Sequence, residues 1–238
     1  MYSLERQEEI LEILAKKRSI SVKELARILY VSEPTVRRDL TMLEEQGKIQ
    51  RTHGGAVLRM VPDAEIPLMF REDKNNSAKR IIAEKAAEYI SDGDVIFLDA
   101  SSTVACIVPL LEKFNDLIVI TNSPKTSVKL GEKGIKNYCT GGLLLSHSVA
   151  FVGSQTERFI SEINADLFFF SSRGYTENGM ITDSSESEAA VKKAMLKNSA
   201  RAFYLCDSSK KNNKYAFNIC KTSDVFAVLD EKTSPSLA

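Results

Sequence analysis

The chain has 238 residues, room for one large domain or two ordinary ones. It is 43% hydrophobic and 27% charged, the balance of a globular protein that can bury a full core without disulfides or metals. Its 32 basic residues equal its 32 acidic ones, which excludes a globally basic nucleic-acid coat protein, so any DNA contact has to come from a local patch.

The opening MYSLERQEEILEILAKKRS is charged from the start and has no apolar stretch ahead of a small-residue cleavage site, so it does not read as a signal peptide. Leu4, Ile10, Leu11 and Leu14 share one side of a first helix, which Lys16, Lys17 and Arg18 close at its carbonyl end. Ser21 opens a second helix and Glu24 follows at capping-box spacing, with Val22, Leu25, Ala26, Ile28 and Leu29 as the buried face. Ser32 is the N-cap of a third helix, with Pro34 in its first turn. Val36, Leu40 and Leu43 pack inward, leaving Thr35, Arg37, Arg38 and Thr41 off the core face. Two short helices joined this tightly, the second carrying exposed arginines near its start, fit a helix-turn-helix.

After Gly47 the period changes. Residues Ile49 to Thr52 alternate, His53-Gly54-Gly55-Ala56 turns, and Val57-Leu58 resumes, with glycines expected to supply the positive φ of a tight hairpin. This reads as a wing whose basic residues lie along the phosphate backbone or in the minor groove. Between Lys16 and Arg59 ten Lys or Arg face five Asp or Glu, a local footprint of positive charge. The candidate DNA-binding residues are Ser32, Thr35, Arg37, Arg38, Thr41, Arg51 and His53. Arg37 and Arg38 suit guanine edges or phosphates equally, and His53 suits a turn or a contact.

The stretch SVKELARILYVSEPTVRRDLTMLEEQGKIQRTHGGAV resembles the DNA-binding signature of the DeoR family, through Val-Ser-x-x-Thr-Val-Arg-Arg-Asp-Leu, Leu-Glu-x-x-Gly and Arg-x-His-Gly-Gly-Ala. The competing reading is a three-helix protein-interaction module.

Residues 59–76 carry two prolines and little periodicity and read as a linker between a winged helix-turn-helix at 1–58 and a larger domain at 77–238. From Ser77 an amphipathic helix, AKRIIAEKAAEYI, leads into the short apolar run VIFLD. VACIVPLLEKF reads as helical despite Pro109, and LIVIT as the next strand. Further strand candidates are 135–139, 167–171, 201–206 and 225–229, mostly with helical segments between. The expected fold class is α/β, an open and mainly parallel sheet covered on both faces behind an N-terminal winged helix-turn-helix.

Open sheets of this kind bind ligands at the carboxyl ends of their strands. Asp99-Ala100-Ser101-Ser102-Thr103 follows one strand and opens a helix, a place for an anion such as phosphate. Thr121-Asn122-Ser123, Gly141-Gly142 and Asp207-Ser208-Ser209-Lys210 end others. These segments, with ADLFFFSSRGYTENGMIT, resemble the effector domain of the DeoR family, itself similar in fold to ribose-5-phosphate isomerase and to coenzyme A transferases. The resemblance implies phosphate at Ser101, Ser102 and Thr103, with Asp99, Asn122, Gly141, Gly142, Asp207 and Lys210 lining the rest of an effector pocket. Arg173, Glu188 and Lys192 are weaker candidates, for which a solvated or helix-surface role fits nearly as well. The chain departs from the family twice: Ser101 stands where Gly is usual, narrowing backbone freedom, and Lys211-Asn212 stands where Phe-Gly is usual.

None of Cys106, Cys139, Cys206 and Cys220 forms a Cys-x-x-Cys pair, and His53 and His147 are the sole imidazoles, so no metal and no cofactor are expected. No stretch approaches the roughly 18 apolar residues of a membrane helix. The expected protein is a cytoplasmic transcriptional regulator, a repressor of carbohydrate metabolism. Its partners are a double-stranded DNA operator, a small phosphorylated sugar or related metabolite and further copies of itself, with no membrane. The alternatives are a sugar-phosphate isomerase fused to a DNA-binding head, with Asp99, Asp207, Glu186 or Glu188 as base, and a ligand-free DNA-bridging protein.

Overall fold

The computed structural model describes residues 3–17, 19–45, 49–58 and 68–232, and the chain divides into two compact units, Met1–Ala64 and Glu65–Ala238.

In the first unit the order is α1 (Ser3–Lys17), β1 (Ser19–Ser21), α2 (Val22–Ile28), α3 (Glu33–Glu45), β2 (Ile49–Thr52) and β3 (Gly55–Leu58). The apolar stripes meet in one core, where Ile10, Leu14, Leu25, Val36, Leu40 and Leu43 have no exposed surface. Arg18, expected to help close α1, and the side chain of Leu4, expected on its stripe, lie outside the described residues. The Ser21 side chain accepts the Glu24 amide at 3.1 Å and so caps α2. The Glu24 carboxylate takes Lys17 as its ion-pair partner, so of the expected capping box the described residues show the Ser21 limb. Ser32 caps α3 through the Thr35 amide.

The Asp39 carboxylate, on α3, is buried although the residue sits among charged neighbours. The Arg6 guanidinium grips it with two hydrogen bonds, of 2.5 and 3.1 Å, and ties α1 to α3.

The wing corrects the reading of its glycines. Neither Gly54 nor Gly55 has a positive φ. What requires Gly55 is β1, a strand the sequence did not suggest, which pairs antiparallel with β3 so that the sheet runs β1-β3-β2. A Cβ on Gly55 would stand 2.1 Å from the Ile20 carbonyl oxygen.

The second unit begins with two helices, α4 (Leu68–Asp73) and α5 (Asn76–Ala87). Residues 59–67 of the expected linker lie outside the described residues, and most of its remainder is helical. The chain continues through β4 (Val95–Leu98), a 3-10 helix (Val104–Lys113), β5 (Ile118–Thr121), α6 (Pro124–Glu132), β6 (Asn137–Cys139), β7 (Leu143–Leu145) and β8 (Ala150–Val152). It then forms α7 (Ser154–Ser161), β9 (Ala165–Phe170), β10 (Gly174–Tyr175), β11 (Met180–Asp183), α8 (Glu186–Lys197), β12 (Ser199–Leu205), β13 (Phe217–Lys221) and β14 (Ala227–Leu229). Pro109 sits inside the 3-10 helix, where its ring and missing N–H suit a tighter, shorter-range winding better than an α-helix.

The central sheet has six strands in the order β14-β12-β9-β4-β5-β6, every neighbouring pair parallel. This is the expected open parallel sheet. Alternation sends Leu167 and Phe169 to the core on one face and Phe168 and Phe170 to the core on the other. A small antiparallel sheet, β10-β11-β13, and the hairpin β7-β8 complete the unit. From β4 the chain adds β5 and β6 on one side, then β9, β12 and β14 on the other, so the order reverses between β4 and β9.

Gly55→Ala should drive β3 off β1 and destabilise the first unit by about 1–3 kcal/mol. Hydrogen exchange should show lost protection in residues 19–21 and 55–57 with the second unit unchanged; unaltered exchange would mean that the wing sheet accommodates a methyl.

Candidate functional site

In the first unit the polar candidates gather on α3 and the wing. Ser32 Oγ and Thr35 Oγ1 lie 2.9 Å apart at the start of α3. Arg37 is exposed and 3.6 Å from Glu33 on the same helix. Arg38 is exposed, with no ion-pair partner among the described residues. Arg51 on β2 donates its guanidinium to Thr41 Oγ1 at 2.8 Å and its amide to Glu44 Oε1 at 2.8 Å. These bonds fasten wing to helix, so α3 and β2 present one surface. His53 is exposed in the wing turn. Tyr30, which the sequence reading did not single out, occupies the turn before α3 with a left-handed φ of 53° and is 95% exposed.

In the second unit a cleft opens where β4, β5, β9 and β12 end, at the reversal of strand order. Asp99 follows β4 and is buried. Its Oδ1 accepts the Ser101 amide at 2.9 Å and its Oδ2 accepts the Ser171 amide, after β9, at 3.0 Å. Burial pushes the Asp99 carboxyl up from its ordinary range, against the pull of Lys192 and these hydrogen bonds.

The loop after Asp99 is shaped for an anion. Ser101 Oγ accepts the Val104 amide at 3.2 Å and closes the start of the 3-10 helix. Ser101 has no left-handed φ, so serine stands at this position without backbone strain. The next two amides, of Ser102 and Thr103, have no acceptor among the described residues, and both residues line the cleft. Lys210 reaches over them, donating to Ser171 Oγ at 2.5 Å and toward Thr103 Oγ1 at 3.5 Å. Burial lowers the Lys210 ammonium to about 8, against the attraction of Asp207, Cys206 and Asp99. Asp207 is engaged by Asn75 Nδ2 at 2.9 Å and by Ser209. Burial would raise its carboxyl, but Ser209, Lys210 and Asn75 together hold it below the ordinary value.

The far wall carries a buried ion pair. Lys192 on α8 lies 2.7 Å from Asp183 at the end of β11. Burial opposes both charges, yet Asp183, Glu188 and Asp99 together raise Lys192, and Lys192 keeps Asp183 below the usual carboxylate range. Around the whole cleft six cationic side chains, Arg71, Lys74, Lys79, Arg173, Lys192 and Lys210, outnumber four carboxylates. The cleft therefore favours an anion.

The structure brings Asp99, Ser101, Ser102, Thr103, Asn122, Asp207 and Lys210 to this one cleft, with Arg173, Glu188 and Lys192. Glu188 and Lys192 are buried here, not on a solvated helix face. Gly141 and Gly142 do not line it. Their φ values of +65° and +116° shape the turn from β6 to β7, and a Cβ on Gly142 would meet Thr156 Oγ1 at 2.3 Å. Asn212, at the second departure from the family, takes a left-handed φ of 61°, which Asn tolerates better than most residues. Lining residues that the sequence reading missed include Asn75, Lys79, Ser171 and Asp183. For Lys79 a signal existed: it shares a stripe with Ile82, Ala83 and Ala86, and a lysine on an apolar stripe needs a buried purpose.

Among the described residues no group of three or more His, Cys, Asp or Glu could hold a metal ion, and no helix is long and apolar enough to cross a membrane.

Known proteins give the family. Residues 6–60 match the DeoR-like helix-turn-helix domain and residues 74–232 the DeoR C terminal sensor domain. The HTH-type transcriptional regulator YulB of Bacillus subtilis is 38% identical over 97% of this chain and 90% of its own. The L-fucose operon activator of Haemophilus influenzae is 32% identical over 97% and 92%. The lactose phosphotransferase system repressor of Staphylococcus epidermidis is 32% identical over 97% and 93%. Among solved structures, eIF2B delta from Chaetomium thermophilum shares the fold, with a TM-score of 0.51 and 18% identity over 70% of this chain and 60% of that one. A D-ribose-5-phosphate isomerase aligns with a TM-score of 0.44 and 17% identity over 57% of this chain and about half (54%) of the isomerase.

Asp183→Asn should leave the Lys192 ammonium buried without its counter-charge and destabilise the second unit by about 3 kcal/mol. Urea unfolding measures it, and a loss below about 0.5 kcal/mol would show that Glu188 and Asp99 suffice for Lys192.

Proposed function

The chain belongs to the DeoR family of DNA-binding transcriptional regulators, and from that premise we propose that it represses a carbohydrate operon under the control of a phosphorylated sugar bound in the cleft. The observation that carries the ligand class is the pair of open amides at Ser102 and Thr103 beneath the Lys210 ammonium, at the head of a helix. The relatives named for an L-fucose operon and for a lactose phosphotransferase system support a sugar. Phosphate takes the two amides and Lys210, and the carbon skeleton extends toward Asn122, Glu188 and Lys192.

In the first unit, Arg37, Arg38, Thr35 and Ser32 on α3 face the major groove, while Arg51 and His53 on the wing track the backbone. One helix-turn-helix covers one half-site, so the working form is a homo-oligomer acting in the cytoplasm, and ligand shifts how its heads span the operator. The cleft serves sensing and not catalysis. An isomerase needs a carboxylate at liberty to move a proton; Asp99 holds two amides, Asp183 holds Lys192, and Asp207 holds Asn75 and Ser209, which leaves Glu188 as the lining carboxylate that such a role would require. Turnover of a sugar phosphate by the purified chain would reverse this assignment.

Arg38→Ala should weaken operator binding and, for a phosphate contact, reduce the slope of log K against log salt by roughly one. Fluorescence anisotropy across a salt series reads both, and an unchanged slope and affinity would remove Arg38 from the interface.

Inorganic phosphate should raise the melting temperature of the full chain. A phosphate monoester is mostly dianionic above about pH 6, and Lys210 is charged below about 8, so affinity for a monoester such as glycerol 3-phosphate should be highest between these values and fall as Lys210 loses its proton on the alkaline side. Lys210→Met should cost at least about ten-fold in affinity at pH 7, roughly 1.4 kcal/mol, and flatten the alkaline limb. An alkaline limb retained in Lys210→Met would place the titrating group elsewhere.

A further inference from the structure

Asn122 stands at the carboxyl end of β5 and is 4% exposed. Its backbone carbonyl accepts the Phe151 amide at 2.7 Å, and its side-chain Nδ2 donates to the Phe151 carbonyl at 3.0 Å. The Nδ2 hydrogen bond orients the side-chain amide on β8: turning it over would set Oδ1 against the Phe151 oxygen, two acceptors face to face. Held this way, Oδ1 is buried and finds no donor among the described residues, while Asn122 lines the cleft. A buried acceptor left without a donor costs about 1–3 kcal/mol. A purely structural role for Asn122 is complete with the Phe151 bonds and gives no reason for that cost.

The register says what lies beside it. Leu98 on β4 pairs with Thr121 on β5, so Asp99 and Asn122 leave the sheet side by side, on strands about 4.8 Å apart. The open amides of Ser102 and Thr103 follow Asp99 directly. The donor-rich loop and the lone acceptor are thus neighbours at the same end of the sheet. An acceptor oxygen repels a second anionic oxygen and attracts an O–H.

We propose that Asn122 Oδ1 is a specificity contact that accepts a hydrogen bond from an alcohol of the ligand close to its phosphate, so that the cleft selects phosphate esters of polyols over phosphate esters lacking that hydroxyl. This rests on the phosphate reading of the cleft and adds the second functional group. The rigidity of the Asn122 amide makes the selection steep, because a ligand without the hydroxyl buries Oδ1 without a partner.

The smallest matched pair is sn-glycerol 3-phosphate and n-propyl phosphate, with equal carbon chains, one bearing hydroxyls and one not. Titration calorimetry of the full chain with these two and inorganic phosphate tests the idea. The wild-type protein should bind glycerol 3-phosphate at least ten-fold more tightly than propyl phosphate. Asn122→Ala should bring that ratio to near one while leaving inorganic phosphate within about three-fold of wild type, and Asn122→Ser should give the same pattern if the alanine variant does not fold. A wild-type ratio near one overturns the proposal without any variant, and so does a ratio that survives in either variant. Binding of inorganic and propyl phosphate with no preference removes the Asn122 contact and spares the phosphate site. Binding of none of the three overturns the phosphate reading and this contact with it.

Discussion

The Asp99 carboxylate takes one amide from its own loop and one from the loop after β9, and this pair of bonds closes the seam where the sheet changes direction. On one side of the seam the chain runs outward through β5 and β6, on the other through β9, β12 and β14. The reversal leaves a crevice beyond the strand ends, and the Asp99 carboxylate joins the loops after β4 and β9 there, next to the Asp99 amide bond to Phe169. Burial makes the tie costly for a charged group, so it persists through amide donors and the nearby Lys192. With the seam closed, Ser101 caps the following helix, and Ser102 and Thr103, whose amides have no acceptor among the described residues, line the crevice.

Around that seam the charges are arranged in two tiers. Lys192 is matched deep in the wall by Asp183, a pair that fixes α8 to β11. Lys210 is buried and less fully compensated, which is why its proton is loosely held while that of Lys192 is tightly held. The DNA-reading unit uses its charges differently. Arg6 is consumed in holding α1 to Asp39, and Arg51 in holding the wing to α3, leaving Arg38 to face outward.

Much of this was legible in the sequence. The central strands β4, β5, β9 and β12 bury side chains on both faces, so they read as apolar runs such as VIFL and ADLFFF, and the cleft lies at their ends. The helices of the head announce themselves through their stripes and their serine caps. What stayed hidden depends on partners distant in sequence. Strand β1 is three residues, SIS, and exists because Gly55 lets β3 approach it. The β10-β11-β13 sheet is built from short mixed segments with no clear period, so Asp183 could not be placed at a strand end facing Lys192. Gly141 and Gly142 were legible as a strand-end pair, but they shape a turn outside the cleft, where Gly142 leaves room for Thr156. Asn122 was legible as a strand-end polar residue; its unmatched oxygen became visible once Phe151 was seen to claim its nitrogen.

The cleft draws its walls from Arg71 through to Tyr215, whereas the strands and helices of the head are complete by Leu58. On the ribosome the head therefore emerges and closes on contacts of short sequence separation while β12, Asp207 and Lys210 have yet to be made. Every newly made chain thus holds the elements of its head before the residues that close the cleft exist. A chain that stops ahead of β12 therefore keeps every strand and helix of the head and lacks Asp207 and Lys210, so the point of truncation separates the two units.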